Sequence, residues 1–248
     1  MTDNAVSVLV VDDEPQIRRF LRSSLAAQGY RVSEAERGAD ALSSLRREAP
    51  DVVVLDLGLP DIDGLELIEI IRSTSDVPIV VLSSRSDEHG KVRALDLGAD
   101  DYVTKPFGME ELVARIRTAL RHRLQRQGAR PLFVCGDLAV DLVRRIVKVG
   151  GAEVKLSPKE YDILALLITH AGKVLTHPHI LREVWKTPTD VQYLRIYIKQ
   201  LRRKIEPDPQ QPRYILTETG VGYRMREADP EEGRRKAESE RSSDADFD

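Results

Sequence analysis

The chain has 248 residues, 41% of them apolar and 32% charged, with a net charge of −3, which is enough for two ordinary domains with separate cores. No apolar stretch approaches the roughly 20 residues that a membrane helix needs, and no signal-peptide pattern opens the chain, so a cytoplasmic protein without membrane insertion is expected. The single cysteine, Cys135, excludes an intramolecular disulfide and any multi-cysteine metal site, and its expected role is a buried small hydrophobe.

In chain order, the first half alternates strand and helix. Strands are predicted at 6–11, 30–35, 51–56, 77–82 and 101–104, and amphipathic helices at 15–28, 38–48, 64–72, 87–97 and 109–123. Ile17, Phe20, Leu21 and Leu25 recur at helical spacing in the first helix, as do Leu112, Ile116, Ala119 and Leu120 in the fifth. Five such units predict an α/β domain over 1–123 with a doubly wound, five-stranded parallel sheet, because parallel strands need helical crossovers. Residues 124–130 read as a linker. Short β-rich segments follow over 132–155, with a turn at Gly150-Gly151. Ser157-Pro158-Lys159-Glu160 is a capping box that opens a helix to about 170; further helices are predicted near 177–185 and 191–205, and a hairpin at 215–218 and 223–225. Three helices and a terminal hairpin predict an α+β winged helix-turn-helix domain over 131–226. The acidic tail, 227–248, has too little apolar area to order itself and is expected to be disordered.

The predicted strands end in chemistry. The first is followed by Asp12-Asp13, the third ends at Asp56, the fourth runs into Ser83-Ser84 and the fifth into Lys105-Pro106. Open α/β sheets place their active crevices at the carboxyl ends of the strands. Three carboxylates brought together repel one another unless they protonate or a cation neutralises them, and an open site of oxygen ligands suits Mg²⁺. The ion would bridge Asp56 to an incoming phosphoryl group, with Lys105 on a second phosphoryl oxygen and Ser83 on a third. At an effective dielectric of about 20, an ion pair at ~4 Å has a Coulomb term of about 4 kcal/mol before desolvation. The plainer alternative is a polar or metal-binding crevice without phosphoryl chemistry.

Charge is unevenly spread. Residues 1–123 carry 16 basic and 22 acidic side chains, 130–226 carry 17 and 10, and 227–248 carry 4 and 9. A basic domain between acidic segments suggests a polyanion partner for that domain, against the plainer reading of a solvated arginine-rich surface. In the third of its helices, Leu194, Ile198, Leu201 and Ile205 form a core stripe. The other side carries Gln192, Tyr193, Arg195, Tyr197, Lys199, Gln200, Arg202 and Arg203, groups that suit base edges and phosphates. Tyr193, Tyr197 and Gln200 are expected near bases, and the four basic residues mainly on phosphates. Trp185 is expected in the core of this domain, and His177 and His179 as exposed or capping residues rather than metal ligands.

These motifs carry a resemblance. Val-Asp-Asp-Glu at 11–14, Leu-Asp-Leu-Gly-Leu-Pro at 55–60, Gly-Ala-Asp-Asp-Tyr at 98–102 and Thr-Lys-Pro-Phe at 104–107 make 6–123 similar to a response-regulator receiver domain, and 130–226 resembles the DNA-binding output domain of the OmpR/PhoB class. The resemblance implies that Asp56 is the phosphoacceptor served by a sensor histidine kinase. It implies Mg²⁺ on Asp13, Asp56 and the Gly58 carbonyl, with Asp12 acting mainly through water. Lys105 would contact the phosphoryl group ahead of a cis bond to Pro106; Ser83 would be the switch hydroxyl and Tyr102 the switch aromatic. Ser84 stands where relatives often have alanine. The resemblance further implies a homodimer through the 87–117 face, with Lys91–Glu111 and Asp101–Arg115 pairs across subunits and apolar contact from Val92 and Leu95. Without the family, that face reads as a solvated helix surface.

Two departures from the pattern stand out. Thr219 occupies a hairpin position where many relatives have a minor-groove arginine, so that contact is absent or comes from Arg224 or Arg213. The 186–190 loop, which in relatives can touch RNA polymerase, is short. Asp-Leu-Gly-Leu-Pro-Asp at 56–61, Tyr-Leu-Arg-Ile-Tyr at 193–197 and Thr-Glu-Thr-Gly-Val-Gly-Tyr-Arg at 217–224 resemble the potassium-responsive Kdp subfamily, which implies a KdpD-like kinase and promoters of potassium-uptake genes. Competing readings are a transcription factor that works without phosphorylation and an aspartyl-phosphate hydrolase. The hydrolase lacks the acid commonly placed two residues after the nucleophile, where this chain has Gly58. A dinucleotide-binding oxidoreductase is weaker still, since no GxGxxG follows the first strand.

Overall fold

Long β-branched runs become strands buried on both faces. In the computed structural model, which describes residues 5–84, 88–185 and 189–227, the first unit runs β1 (Ser7–Val11), α1 (Pro15–Ala27), β2 (Arg31–Ala35), α2 (Gly38–Glu48), β3 (Val52–Leu55), α3 (Gly64–Thr74), β4 (Ile79–Ser83), α4 (Glu88–Asp96), β5 (Asp101–Thr104) and α5 (Met109–Arg126). The five strands are parallel in the order β2-β1-β3-β4-β5. Val8, Leu9, Val10, Val52, Val53, Ile79, Val80 and Val81 are wholly buried, as a sheet covered by helices on both faces requires. The strand order reverses at β1 and β3, so Asp12 and Asp56 end neighbouring strands at the switch point where such sheets bind ligands.

The chain divides into two compact units after Arg126. Helix α5 runs past the expected start of the linker because tertiary contacts hold its last turn. Leu120 is buried, Arg123 donates to the Asp51 carbonyl, and Arg126 pairs with Asp100. Arg72, unremarkable in sequence, joins the same network by donating to the carbonyls of Gly98 and Val77 and to Asp100.

The second unit opens with the antiparallel meander β6 (Leu132–Cys135), β7 (Leu138–Asp141), β8 (Ile146–Val149) and β9 (Ala152–Glu153), in which Cys135 is buried as expected. Then come α6 (Pro158–Thr169), β10 (Val174–Thr176), α7 (His177–Trp185), α8 (Val191–Ile205), β11 (Ile215–Glu218) and β12 (Gly222–Met225). The β11–β12 hairpin is the wing, and the three-residue β10, which the sequence does not announce, pairs with β12 to make a three-stranded sheet. The capping box forms: Glu160 receives the Ser157 amide at 2.6 Å while the Ser157 hydroxyl receives the Glu160 amide. Glu160 also takes a 2.6 Å ion pair from Lys204, tying the start of α6 to the end of α8. Burial pushes the Glu160 carboxyl up, but the Lys204 and Ser157 hydrogen bonds more than offset it and hold the group below the usual range. Buried Glu206 accepts the amides of Arg213, Tyr214 and Ile215 and so fixes the entry to the wing. The tail from 228 onward, residues 186–188 and the Ser83 side chain lie outside the described residues.

Candidate functional site

Parallel strands bring their carboxyl ends to one edge, and there Lys105, just after β5, reaches between Asp12 and Asp56. Its ammonium lies 2.8 Å from Asp12 Oδ2, 3.0 Å from Asp56 Oδ1 and 3.6 Å from Glu14 Oε1. The remaining oxygens accept backbone amides, Asp12 Oδ1 from Glu14 at 2.9 Å and Asp56 Oδ2 from Gly58 at 2.6 Å. Burial pushes the Asp12 carboxyl above its usual range despite Lys105 and the Glu14 amide. For Lys105, burial pulls the other way, and the bonds to Asp12 and Asp56 outweigh it, so the ammonium holds its proton more firmly than usual. The Lys105–Pro106 bond is cis.

Of the three carboxylates expected together, Asp12 and Asp56 meet at Lys105. Asp13 and Gly58 are exposed, and among the described residues no group of three acidic, histidine or cysteine side chains is placed so that it could hold a metal ion. Two carboxylates facing one ammonium still leave one excess negative charge in a buried, all-oxygen donor set, and that fits a hard divalent cation.

In the second unit, Leu194, Ile198, Leu201 and Ile205 are buried as predicted, and Gln192, Tyr193, Arg195, Lys199, Gln200 and Arg203 are exposed. Four expectations need correction. Arg202 is half-buried and faces the wing: its guanidinium donates to the Ile215 carbonyl at 2.6 Å and the Thr217 hydroxyl at 2.8 Å, and lies 5.9 Å from the Tyr223 ring. Tyr197 is half-buried against Trp185, ring centroids 5.6 Å apart, so Trp185 sits at a surface junction with Lys159 over its ring rather than in the core. Arg224 is held by Glu218 at 2.9 Å, which removes it as a free substitute for the arginine missing at the exposed Thr219. His177 packs edge-on to Tyr223 with centroids 5.4 Å apart, whereas His179 hydrogen-bonds to Arg182. A cleft of about 390 Å³ opens between α8 and the wing, lined by Arg195, Lys199, Arg203 and Tyr223.

The two arginines at 202 and 203 should therefore separate experimentally. Arg202→Ala is expected to lower the stability of the second unit by about 1–3 kcal/mol through its lost hydrogen bonds. Arg203→Ala should leave stability unchanged and make DNA affinity less salt-dependent by about one released ion. Thermal melts and salt titrations of both variants check this, and equal melts would remove the bracing role of Arg202.

Comparison with known proteins agrees with this division. Residues 8–117 match the response regulator receiver domain family, and residues 151–225 match the family described as transcriptional regulatory protein, C terminal. The chain is 50% identical over 222 residues to the KDP operon transcriptional regulatory protein KdpE of Escherichia coli K12, spanning 88% of this chain and 98% of that one. The chain belongs to the OmpR/PhoB class of two-component response regulators. The regulator is also 47% identical over 221 residues to KdpE of Mycobacterium tuberculosis, spanning 88% of its own length and 98% of the relative's. To the response regulator MprA of a Mycobacterium species it is 44% identical over 229 residues, with 91% and 99% covered. No helix among the regulator's described residues is long and apolar enough to cross a membrane.

On the regulator's α4-β5-α5 surface, Val92 and Leu95 are exposed at 50% and 46%. Tyr102 is half-buried, with the Lys91 ammonium 5.4 Å from its ring centre, and Ser84 is exposed. The Asp101–Arg115 pair expected between subunits closes within the chain at 3.4 Å, and Arg115 also lies 3.7 Å from Glu111 one helical turn away. Dimerisation through this face would therefore exchange the Arg115 ion pairs already made within the chain.

Proposed function

We propose that Asp56 accepts a phosphoryl group from a KdpD-like sensor histidine kinase and that this acyl phosphate switches a cytoplasmic, DNA-binding regulator of potassium-transport genes. The observation that carries this reading is the buried Asp56 carboxylate held 3.0 Å from an ammonium that also holds Asp12. An Asp56 oxygen attacks phosphorus, the P–N bond to the kinase imidazole breaks, and the imidazole takes up a proton as it leaves. The Gly58 amide and Lys105 hold the carboxylate in place; Lys105 then neutralises a phosphoryl oxygen without giving up its proton. Mg²⁺, when bound, would supply Lewis-acid charge for the phosphoryl transfer. Asp12, Asp13, Asp56 and the Gly58 carbonyl are the residues to hold it. Glycine two residues after the acceptor leaves no side chain to activate water or protonate a leaving group, which favours a lasting switch over a hydrolase.

The added charge, about −2, biases Ser83, Tyr102 and the 87–117 face toward a dimer that binds promoter DNA and engages RNA polymerase. Selection of genomic fragments by the full chain, with and without a small-molecule phosphodonor, tests the whole reading. Enrichment of potassium-transporter promoters only after phosphorylation supports it. Equal enrichment in both conditions keeps DNA binding and removes the switch, and enrichment of another locus removes the potassium assignment.

A further inference from the structure

The backbone of Asp12 is held on both sides, once by the sheet and once by a side chain from α1. The β1–β2 ladder ends at the Val11–Ala35 pair, and the Asp12 amide closes it by donating to the Ala35 carbonyl at 3.2 Å. The Asp12 carbonyl, one peptide further on, accepts the Arg18 guanidinium at 2.6 Å. Arg18 stands in the first turn of α1, where its own amide donates to the Glu14 carbonyl, and its side chain is only 12% exposed. The other guanidinium nitrogens face the end of β2, with Nε 3.8 Å from Glu34 and Nη2 3.3 Å from Glu36. Glu34 also takes Arg22, one helical turn on, at 3.2 Å. A guanidinium is a rigid planar fork, so the two carboxylates orient the nitrogen that meets the Asp12 carbonyl. Ion pairs near the surface contribute little by themselves. The bond that reaches inward is different, because it ends on the peptide between Asp12 and Asp13.

We propose that Arg18 is a positioning residue of the phosphoryl-acceptor site, holding the Asp12–Asp13 peptide so that both carboxylates are presented to a divalent cation. The inference rests on the reading of Asp56 as acceptor and deepens it. A peptide unit is planar, so a fixed Asp12 carbonyl also fixes the Asp13 amide and the direction in which the chain leaves it. The Asp12 carboxylate has further holders in the Glu14 amide at 2.9 Å and Lys105 at 2.8 Å. The Asp13 side chain is exposed, so its placement depends on the backbone that Arg18 steadies. Removing a group that orients a metal ligand from outside the coordination sphere ordinarily weakens metal affinity about 10- to 100-fold.

The test compares the full native chain with Arg18→Ala, Arg18→Lys and Arg22→Ala. Mg²⁺ binding is measured by calorimetry, and Asp56 labelling by a small-molecule phosphodonor is followed as Mg²⁺ is raised. For Arg18→Ala the Mg²⁺ dissociation constant and the half-saturating Mg²⁺ for labelling should both rise about tenfold, while the labelling rate at saturating Mg²⁺ changes far less. Arg18→Lys keeps the charge and loses the fork, so it should show a shift in the same direction, and it carries the test if the alanine variant does not fold. Arg22→Ala removes a pair to the same Glu34 without touching the Asp12 carbonyl, and its Mg²⁺ affinity should stay native. Native Mg²⁺ affinity in both Arg18 variants, or an equal loss in Arg22→Ala, would overturn the positioning role while leaving Asp56 as acceptor. A native chain that neither binds Mg²⁺ nor is labelled on Asp56 would remove the acceptor reading, and this inference with it.

Discussion

Asp56→Asn is expected to reduce Mg²⁺-dependent labelling by a small-molecule phosphodonor to background. The substitution replaces the buried Asp56 carboxylate, which faces Lys105 at the mouth of β3, with an amide that is not a nucleophile. The fold should survive. An asparagine oxygen can still accept the Gly58 amide, and Lys105 keeps its 2.8 Å partner in Asp12. Removing one negative charge also lessens the repulsion between the two carboxylates, one of the influences that hold Asp12 above its usual range. Intact-protein mass spectrometry after exposure to the phosphodonor, alongside a thermal melt, is the check. Labelling that persists on a well-folded variant would move the acceptor to Asp12 or Asp13 and undo the proposed function.

Gly222→Ala is expected to cost the DNA-binding unit about 3 kcal/mol or more and to weaken DNA binding at least tenfold. Gly222 begins β12 and pairs with Thr176 on one side and Glu218 on the other. A Cβ there would fall 1.8 Å from the Leu175 carbonyl oxygen and 2.9 Å from the Thr176 Cα, both backbone atoms of β10. No rotamer relieves such a clash, so β10 must part from the wing. The residue is needed for space rather than for an unusual backbone angle. Gly220, two residues earlier, offers the control. It adopts φ +78° in the turn with nothing within 4 Å of a Cβ, so alanine there should cost only about 1 kcal/mol of backbone strain. Calorimetry of the full chain, in which the receiver transition serves as an internal reference, separates the two. Equal effects at both positions would contradict the packing argument.

Much of this was readable along the chain, because it depends on residues near one another in sequence. Unbroken β-branched runs separated by amphipathic stretches dictate parallel strands with helical crossovers. Parallel strands in turn bring Asp12, Asp56 and Lys105 to one edge wherever the helices pack. The i, i+4, i+7, i+11 stripe of α8 likewise determined which side faces the core, and the capping box at Ser157 set where α6 begins. What remained depends on partners far apart in the chain. Lys105 shares itself between Asp12 and Asp56 because burial makes an unpaired carboxylate costly, whereas Asp13 stays in solvent. Arg202 turned from a presumed phosphate contact into a brace because two acceptors on the wing, at Ile215 and Thr217, come within reach of its guanidinium. Helix α5 runs into the expected linker because Asp51 and Asp100, far away in sequence, hold its last turn. Strand β10 exists only because β12 offers an edge, three residues being too few to show a period. The sequence by itself determined the elements, their order and the chemistry at the strand ends, since these follow from local pattern. Only the tertiary structure decided which charges are satisfied and which are left to meet a ligand, since burial and pairing are properties of the packed chain.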